Sequence, residues 1–208
     1  MQAAKIEFWY DFASTYSYLS AIRIEELASR AGVAIEWKPF LLGPIFQAQG
    51  WTTSPFNLFP AKGRNMIRDL ERIAADRGVV FHSPVPFPQN SLTAARIALV
   101  GVDEGWIETF SKAVFAAEFG GGANISDQAV LATIIGALSH SERLDFARIF
   151  ARSGDTVIKD RLKAQTAEAQ RLGIFGAPTF RISSGRLSGE LFWGDDRLDQ
   201  ALAWAQKS

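Results

Sequence analysis

The sequence predicts an α/β protein in which a βαβ opening and a ββα ending enclose a long helical block. Three observations carry this prediction. "KIEFWY" (5–10) and "VAIEWKPF" (33–40) are aromatic-rich or alternating runs of strand length, joined by one helical stretch. From Leu41 to Leu172 the pattern is almost wholly helical between Gly and Pro breaks. "PTFRIS" (178–183), the turn "SSGR" (183–186) and "RLSGELFW" (186–193) then return the chain to sheet before a last helix.

Each element has a local reason. The first helix is predicted from about Ser14 to Ala31, stopped by Gly32, with Tyr18, Leu19, Ile22, Ile24, Leu27 and Ala28 as its apolar contacts. Short joints on either side make the first two strands a parallel βαβ pair. "LLGPIFQAQGWTTSPFNLFP" (41–60) predicts a long loop marked by Pro and Gly, held down by its Leu, Ile, Trp and Phe side chains. Pro60 opens a helix that ends at Gly78. "VVFHSPVPFPQ" carries three prolines and is extended, and Asn90 or Ser91 caps the helix that follows as far as Gly105. "WIETFSKAVFAAEF" ends at Gly120-Gly121-Gly122, Ser126 caps "DQAVLATIIGAL", a short helix starts at Ser141, and "GDTVIKDRLKAQTAEAQRLG" closes the block. "GDDRLDQALAWAQ" is the terminal helix. This order is that of a thioredoxin-like fold interrupted by a helical insertion. Residues 1–40 with 173–208 form the thioredoxin-like domain, and 41–172 form the insertion covering the active site.

Composition narrows the function. Of 208 residues 48% are hydrophobic and 21% charged, enough for an ordinary folded core. Lys+Arg and Asp+Glu both number 22, so the net charge is zero and there is no general attraction to nucleic acid or anionic membrane. The absence of cysteine excludes a disulfide framework, a thiol nucleophile, thiolate metal sites and thiol–disulfide exchange. With only His82 and His140, no metal site is expected; His82 reads as a loop residue and His140 as a helix-end residue. "MQAAKIEFWYDF" lacks the basic start and apolar run of a signal peptide, and no stretch approaches the ~18 apolar residues of a membrane span. The expectation is a soluble, cytoplasmic protein.

Four places could carry chemistry. In "YDFASTYSYLS" (10–20), Ser14 opens a helix: it is an N-cap worth about 1 kcal/mol, or its hydroxyl holds an anion brought by a ligand. A serine with no histidine near it in sequence has no evident base and is a poor nucleophile, whereas donating a hydrogen bond to a thiolate lowers a thiol's pKa without one. In "GIFGAPTF" (173–180), Pro178 is a strand-edge proline, or Ala177 before it offers free backbone groups to a peptide-like ligand. In "WGDDRLD" (193–199), Asp195 and Asp196 suit a helix start through the dipole, and one could accept from a ligand ammonium. In "PAKGRNMIRDLER", Arg64, Arg68 and Arg72 read as a solvated row, while Lys62 at the helix start is placed to meet a ligand carboxylate.

Together "FWYDFASTYSYLS", "PFLLGPIFQAQGW", "PAKGRNMIRDLER", "GIFGAPTF" and "LFWGDDRLD" resemble the 2-hydroxychromene-2-carboxylate isomerases and the related kappa-class glutathione transferases, which share a DsbA-like thioredoxin fold. The resemblance runs in order along the whole chain. It implies glutathione as cofactor, with Ser14 hydrogen-bonding its sulfur and Lys62 contacting the tripeptide. It further implies that Ala177, before a cis Pro178, pairs with the ligand backbone, and that Asp195 and Asp196 hold the γ-glutamyl end. Where relatives often carry asparagine after the loop glycine, this chain reads Gly50-Trp51-Thr52, so Thr52 stands in. A small aromatic substrate and a homodimer are implied as well. The expected activity is interconversion of 2-hydroxychromene-2-carboxylate with trans-o-hydroxybenzylidenepyruvate. A kappa-like transferase or peroxidase and a non-catalytic thioredoxin-fold binding module are the alternatives.

Overall fold

In the computed structural model, which describes residues 4–142 and 144–207, four strands form one mixed sheet in the order β2-β1-β3-β4. These are β1 (Lys5–Tyr10), β2 (Ala34–Pro39), β3 (Thr179–Ile182) and β4 (Leu191–Trp193). β1 pairs parallel with β2 and antiparallel with β3, and β3 pairs antiparallel with β4. Strand alternation sorts the side chains between two faces. Ile6, Phe8 and Tyr10 face the main core with Trp37, Phe180 and Ile182, while Trp9 packs on the other side with Phe40, Ile45 and Ile174. The Phe8 ring lies 5.0 Å from Trp37 and 5.6 Å from Phe180, so aromatic pairs tie β1 to both of its neighbours, β2 and β3.

The predicted helix 14–31 is two helices, α1 (Thr15–Ala21) and α2 (Ile24–Ala31). The break lies at Ile22-Arg23, where the Arg23 guanidinium turns to the Asp195 carbonyl (2.7 Å) and Asp199 (3.0 Å). Gly32 ends α2 at φ +64°, the left-handed conformation that suits glycine.

The segment 41–60 is not the loop its prolines suggest. It holds α3 (Leu42–Ala48) and α4 (Pro55–Leu58), and then opens into α5 (Pro60–Arg77). Pro44, Pro55 and Pro60 all sit in first turns, where the missing N–H has no helical partner to lose. Residues 79–91 run without regular structure, with cis peptide bonds at Val85–Pro86 and Phe87–Pro88.

Then come α6 (Leu92–Glu104), α7 (Ile107–Phe115) and a π-helical turn (Ala116–Gly120). The block ends with α8 (Gln128–Glu142), α9 (Phe146–Ser153) and α10 (Thr156–Arg171). Asp127, not Ser126, accepts from the first turn of α8, at 2.8 Å from the Ala129 N–H; the Ser126 hydroxyl turns instead to Asn124. α8 runs past its expected end through Glu142, so no helix starts at Ser141; Arg143 lies outside the described residues, and α9 begins at Phe146. The chain closes with a 3₁₀ turn (Asp195–Arg197) and α11 (Leu198–Ala205). β4 is shorter than predicted, because residues 183–190 loop out and only Leu191–Trp193 pair with β3. Among the described residues no helix is long and apolar enough to cross a membrane.

Candidate active site

Ser14 is 8% exposed and occupies the N-cap of α1, accepting from the Ser17 N–H at 3.2 Å. Its hydroxyl donates to the carbonyl of Ala177 at 3.0 Å. The start of α1 and the turn before β3, 163 residues apart, therefore meet at one hydroxyl. α1 has only seven residues, so its dipole is smaller than the predicted 18-residue helix would have given, and more of any anion stabilisation falls on the hydroxyl itself.

The Ala177–Pro178 peptide bond is cis. Ala177 is half-buried, and its N–H makes no hydrogen bond among the described residues. The turn before it is shaped by a glycine: a Cβ on Gly176 would stand 2.3 Å from the Trp193 indole nitrogen. Trp193 in turn meets Phe175 edge-on at 4.8 Å, both rings half-exposed. Pro178 is bound to the next candidate group by the Gly194 N–H, which donates to its carbonyl at 3.0 Å.

The two aspartates separate sharply. Asp195 is 3% exposed, and its carboxylate accepts from Ser20 Oγ (2.9 Å), Arg77 Nη2 (2.6 Å) and Arg23 Nη2 (3.4 Å). Asp196 has a 73% exposed side chain whose ion pair is with its neighbour Arg197 at 3.5 Å. Asp195 is thus engaged by the protein, and Asp196 stands largely in solvent.

Lys62 is exposed in the first turn of α5, its Nζ 4.8 Å from the centre of the Phe59 ring. One turn further, Met66 Sδ takes the Thr15 hydroxyl at 3.8 Å, and Asp69 takes the Tyr16 hydroxyl at 2.9 Å. These contacts lay α5 along the first turn of α1, with Lys62 on the same face one turn before Met66. Thr52 is exposed in the segment between α3 and α4, and among the described residues no hydrogen bond joins it or Lys62 to Ser14. Arg68 and Arg72 pair with Glu71 and Asp69 on the exposed side of α5, as a solvated row does. His82 lies in the irregular segment 79–91, its N–H bonded to the Phe119 carbonyl.

Behind Ser14 lies a buried acid that sequence reading missed. Asp11 accepts from the Ala13 N–H (3.0 Å), the Leu42 N–H (2.7 Å) and Ser91 Oγ (2.6 Å), while its carbonyl takes the Ser14 N–H (3.0 Å). Burial pushes its carboxyl above the ordinary range, against the pull of those three donors. Glu118, in the π turn, is fully buried, and among the described residues neither of its carboxyl oxygens has a hydrogen-bond partner. Burial first, and the nearby Asp11 second, push it up to about 9. No local motif marks Asp11, Glu118, Arg23 or Arg77; their partners are mostly distant in sequence.

The DSBA-like thioredoxin domain model matches residues 5–203. The chain belongs to that family. Among DSBA-like proteins it is 33% identical over 198 residues to a 2-hydroxychromene-2-carboxylate isomerase of Sphingobium xenophagum, spanning 93% of this chain and 94% of the relative. It is 24% identical over 204 residues to glutathione S-transferase kappa 1 of Homo sapiens, spanning 93% and 87%. A solved 2-hydroxychromene-2-carboxylate isomerase superposes with a TM-score of 0.83 at 24% identity, over 98% of this chain and 95% of that one. The cytosolic disulfide reductase DsbM of Pseudomonas aeruginosa, solved with GSH, shares the DSBA-like fold at a TM-score of 0.65 and 19% identity, over 97% and 95% of the two chains. The resemblance drawn from the five sequence blocks is borne out, as is the thioredoxin-like α/β fold with helices beyond its core.

Proposed function

We propose that this chain is a glutathione-dependent isomerase of the 2-hydroxychromene-2-carboxylate type, interconverting that chromene with trans-o-hydroxybenzylidenepyruvate. The observation that carries the reading is the Ser14 hydroxyl seated 3.0 Å from the Ala177 carbonyl. It puts a neutral donor suited to a sulfur anion beside backbone groups suited to a peptide. The residues fit the tripeptide: among the described residues the Ala177 N–H is unpaired and its C=O holds only an exchangeable hydroxyl, and Asp196 is an open carboxylate beyond.

Bound glutathione supplies a thiolate whose reversible addition to a conjugated double bond permits rotation about it. The protein's part is to bind and polarise. Ser14 has one proton, now given to Ala177. A cysteinyl N–H taking the Ala177 carbonyl frees that proton for the sulfur. A hydrogen bond of this kind favours the charged sulfur and lowers its pKa. Asp196 would take the γ-glutamyl ammonium, with Lys62 and Thr52 along the rest of the tripeptide. The helices of residues 41–172 would roof the aromatic substrate.

A kappa-like transferase or peroxidase is the second reading, favoured by the 24% identity to the human kappa enzyme over 93% of this chain. The two readings share Ser14 and part at the substrate. Turnover of the chromene against a chlorinated aromatic electrophile separates them, and activity on the electrophile alone would overturn the isomerase assignment. The shared step is tested by ultraviolet titration of the thiol of bound glutathione. Thiolate is expected near neutral pH in the native protein and about one to two pH units higher in Ser14→Ala. Identical titrations would remove Ser14 from the mechanism.

A further inference from the structure

We propose that Asp195 is a positioning residue: buried and bound to Arg77, Ser20 and Arg23, it holds the turn that presents Asp196, and so governs recognition of the γ-glutamyl end alone. The inference rests on the glutathione reading and assigns to Asp195 a role different from ligand contact.

The geometry is specific. The Asp195 carboxylate joins three elements at once: α1 through Ser20 (2.9 Å), the break before α2 through Arg23 (3.4 Å) and the last turn of α5 through Arg77 (2.6 Å). Arg23 also holds the Asp195 carbonyl at 2.7 Å, so side chain and backbone are fixed together. On the other side Gly194 donates to the Pro178 carbonyl, and Arg197 donates back to the Gly194 carbonyl, each at 3.0 Å. Gly194 stands at φ +110°, and a Cβ there would come within 2.5 Å of Asp196 Oδ1, so the carboxylate of Asp196 folds against the turn itself. Among the described residues Asp196 has no comparable anchor: its ion pair is with the adjacent, half-exposed Arg197. Where Asp196 stands is therefore decided by Asp195. Arg77 stands in the last turn of α5, about four turns from Lys62 in its first, so this bond holds the far end of that helix and not its start. Ser14 is anchored independently, through Asp11, Ser17 and Ala177.

That separation gives the test. Binding of glutathione and of N-acetyl-cysteinylglycine, which keeps the thiol and lacks the γ-glutamyl group, is measured calorimetrically on the full chain and on Asp195→Asn. Native protein that binds no glutathione overturns the glutathione reading and this inference with it. Given native binding, Asp195→Asn is expected to weaken glutathione at least tenfold while leaving the truncated ligand within about twofold, with the thiol titration unmoved. Loss of both ligands in parallel, or of neither, overturns the inference and leaves the glutathione reading standing. If Asp195→Asn does not fold, Ser20→Ala removes one donor from the same carboxylate and is read by the same ratio, with a smaller loss for glutathione alone.

Discussion

At Asp11 three donors from three parts of the chain converge on one buried carboxylate: the Ala13 N–H, the Leu42 N–H and the Ser91 hydroxyl. Removing it orphans the Ser91 hydroxyl in a buried place and strips the partly buried Ala13 and Leu42 N–H groups of their acceptor as well, and a buried donor left unpaired costs about 1–3 kcal/mol. Asp11→Ala is therefore expected to lower stability by about 3 kcal/mol or more in urea unfolding, against about 1 kcal/mol for Ser91→Ala, which leaves two of the bonds. Equal losses would show that the carboxylate is not the organiser of this corner. At this scale the sequence told only part. Ser14 and Ala177 were legible because a serine opening a helix and an alanine before a strand-starting proline have few roles, and their fold order brings them together. Asp195 was legible as an acid at a helix start. Its burial was not, because Arg77 and Ser20 lie 118 and 175 residues away and neither stands in a motif.

Among the elements, the π turn after α7 is the anomaly, because it carries Glu118 fully buried and, among the described residues, without a hydrogen-bond partner. Such turns often mark functional places, and an unpaired buried carboxyl calls for an account. Its folded value of about 9 lies above the ordinary carboxyl range. The sign follows. A carboxyl raised on folding favours the native state most when both states are protonated, below about pH 4.5, and that support drains away as pH rises toward 9. Burial pushes Asp11 the same way, and burial with the Glu25 carboxyl pushes Glu108 up to about 7. Native protein should thus lose melting temperature between pH 5 and 9. Glu118→Gln should recover about 5 °C or more of that loss at pH 9 while matching the native protein near pH 5. Parallel melting curves across the range would contradict the burial of a neutral acid. The helices themselves were readable where Gly and Pro acted as ends, as at Gly32, Pro60, Gly78 and Gly105. They were misread where proline sat inside a first turn, in 41–60, and at the break beside Arg23, whose partners Asp195 and Asp199 lie far along the chain.

Across the whole molecule one hydrophobic cluster runs from Ile6, Trp37 and Phe180 of the sheet through Phe110, Phe115 and Leu162 of the intervening helices. Sequence order separates residues 41–172 from the rest, but order in the chain does not report which side chains share a core. Because the apolar contacts are continuous, calorimetry should show one unfolding transition. Two resolved transitions would mean that the helical block holds a core of its own.

The bond between Ser14 and Ala177 has one more consequence. Neither group waits bare for a visitor; each already satisfies the other, so an arriving peptide trades places with an existing partner. Binding must first break that bond, and its loss offsets part of what the new contacts contribute. That favours an occupant that comes and goes over one that stays.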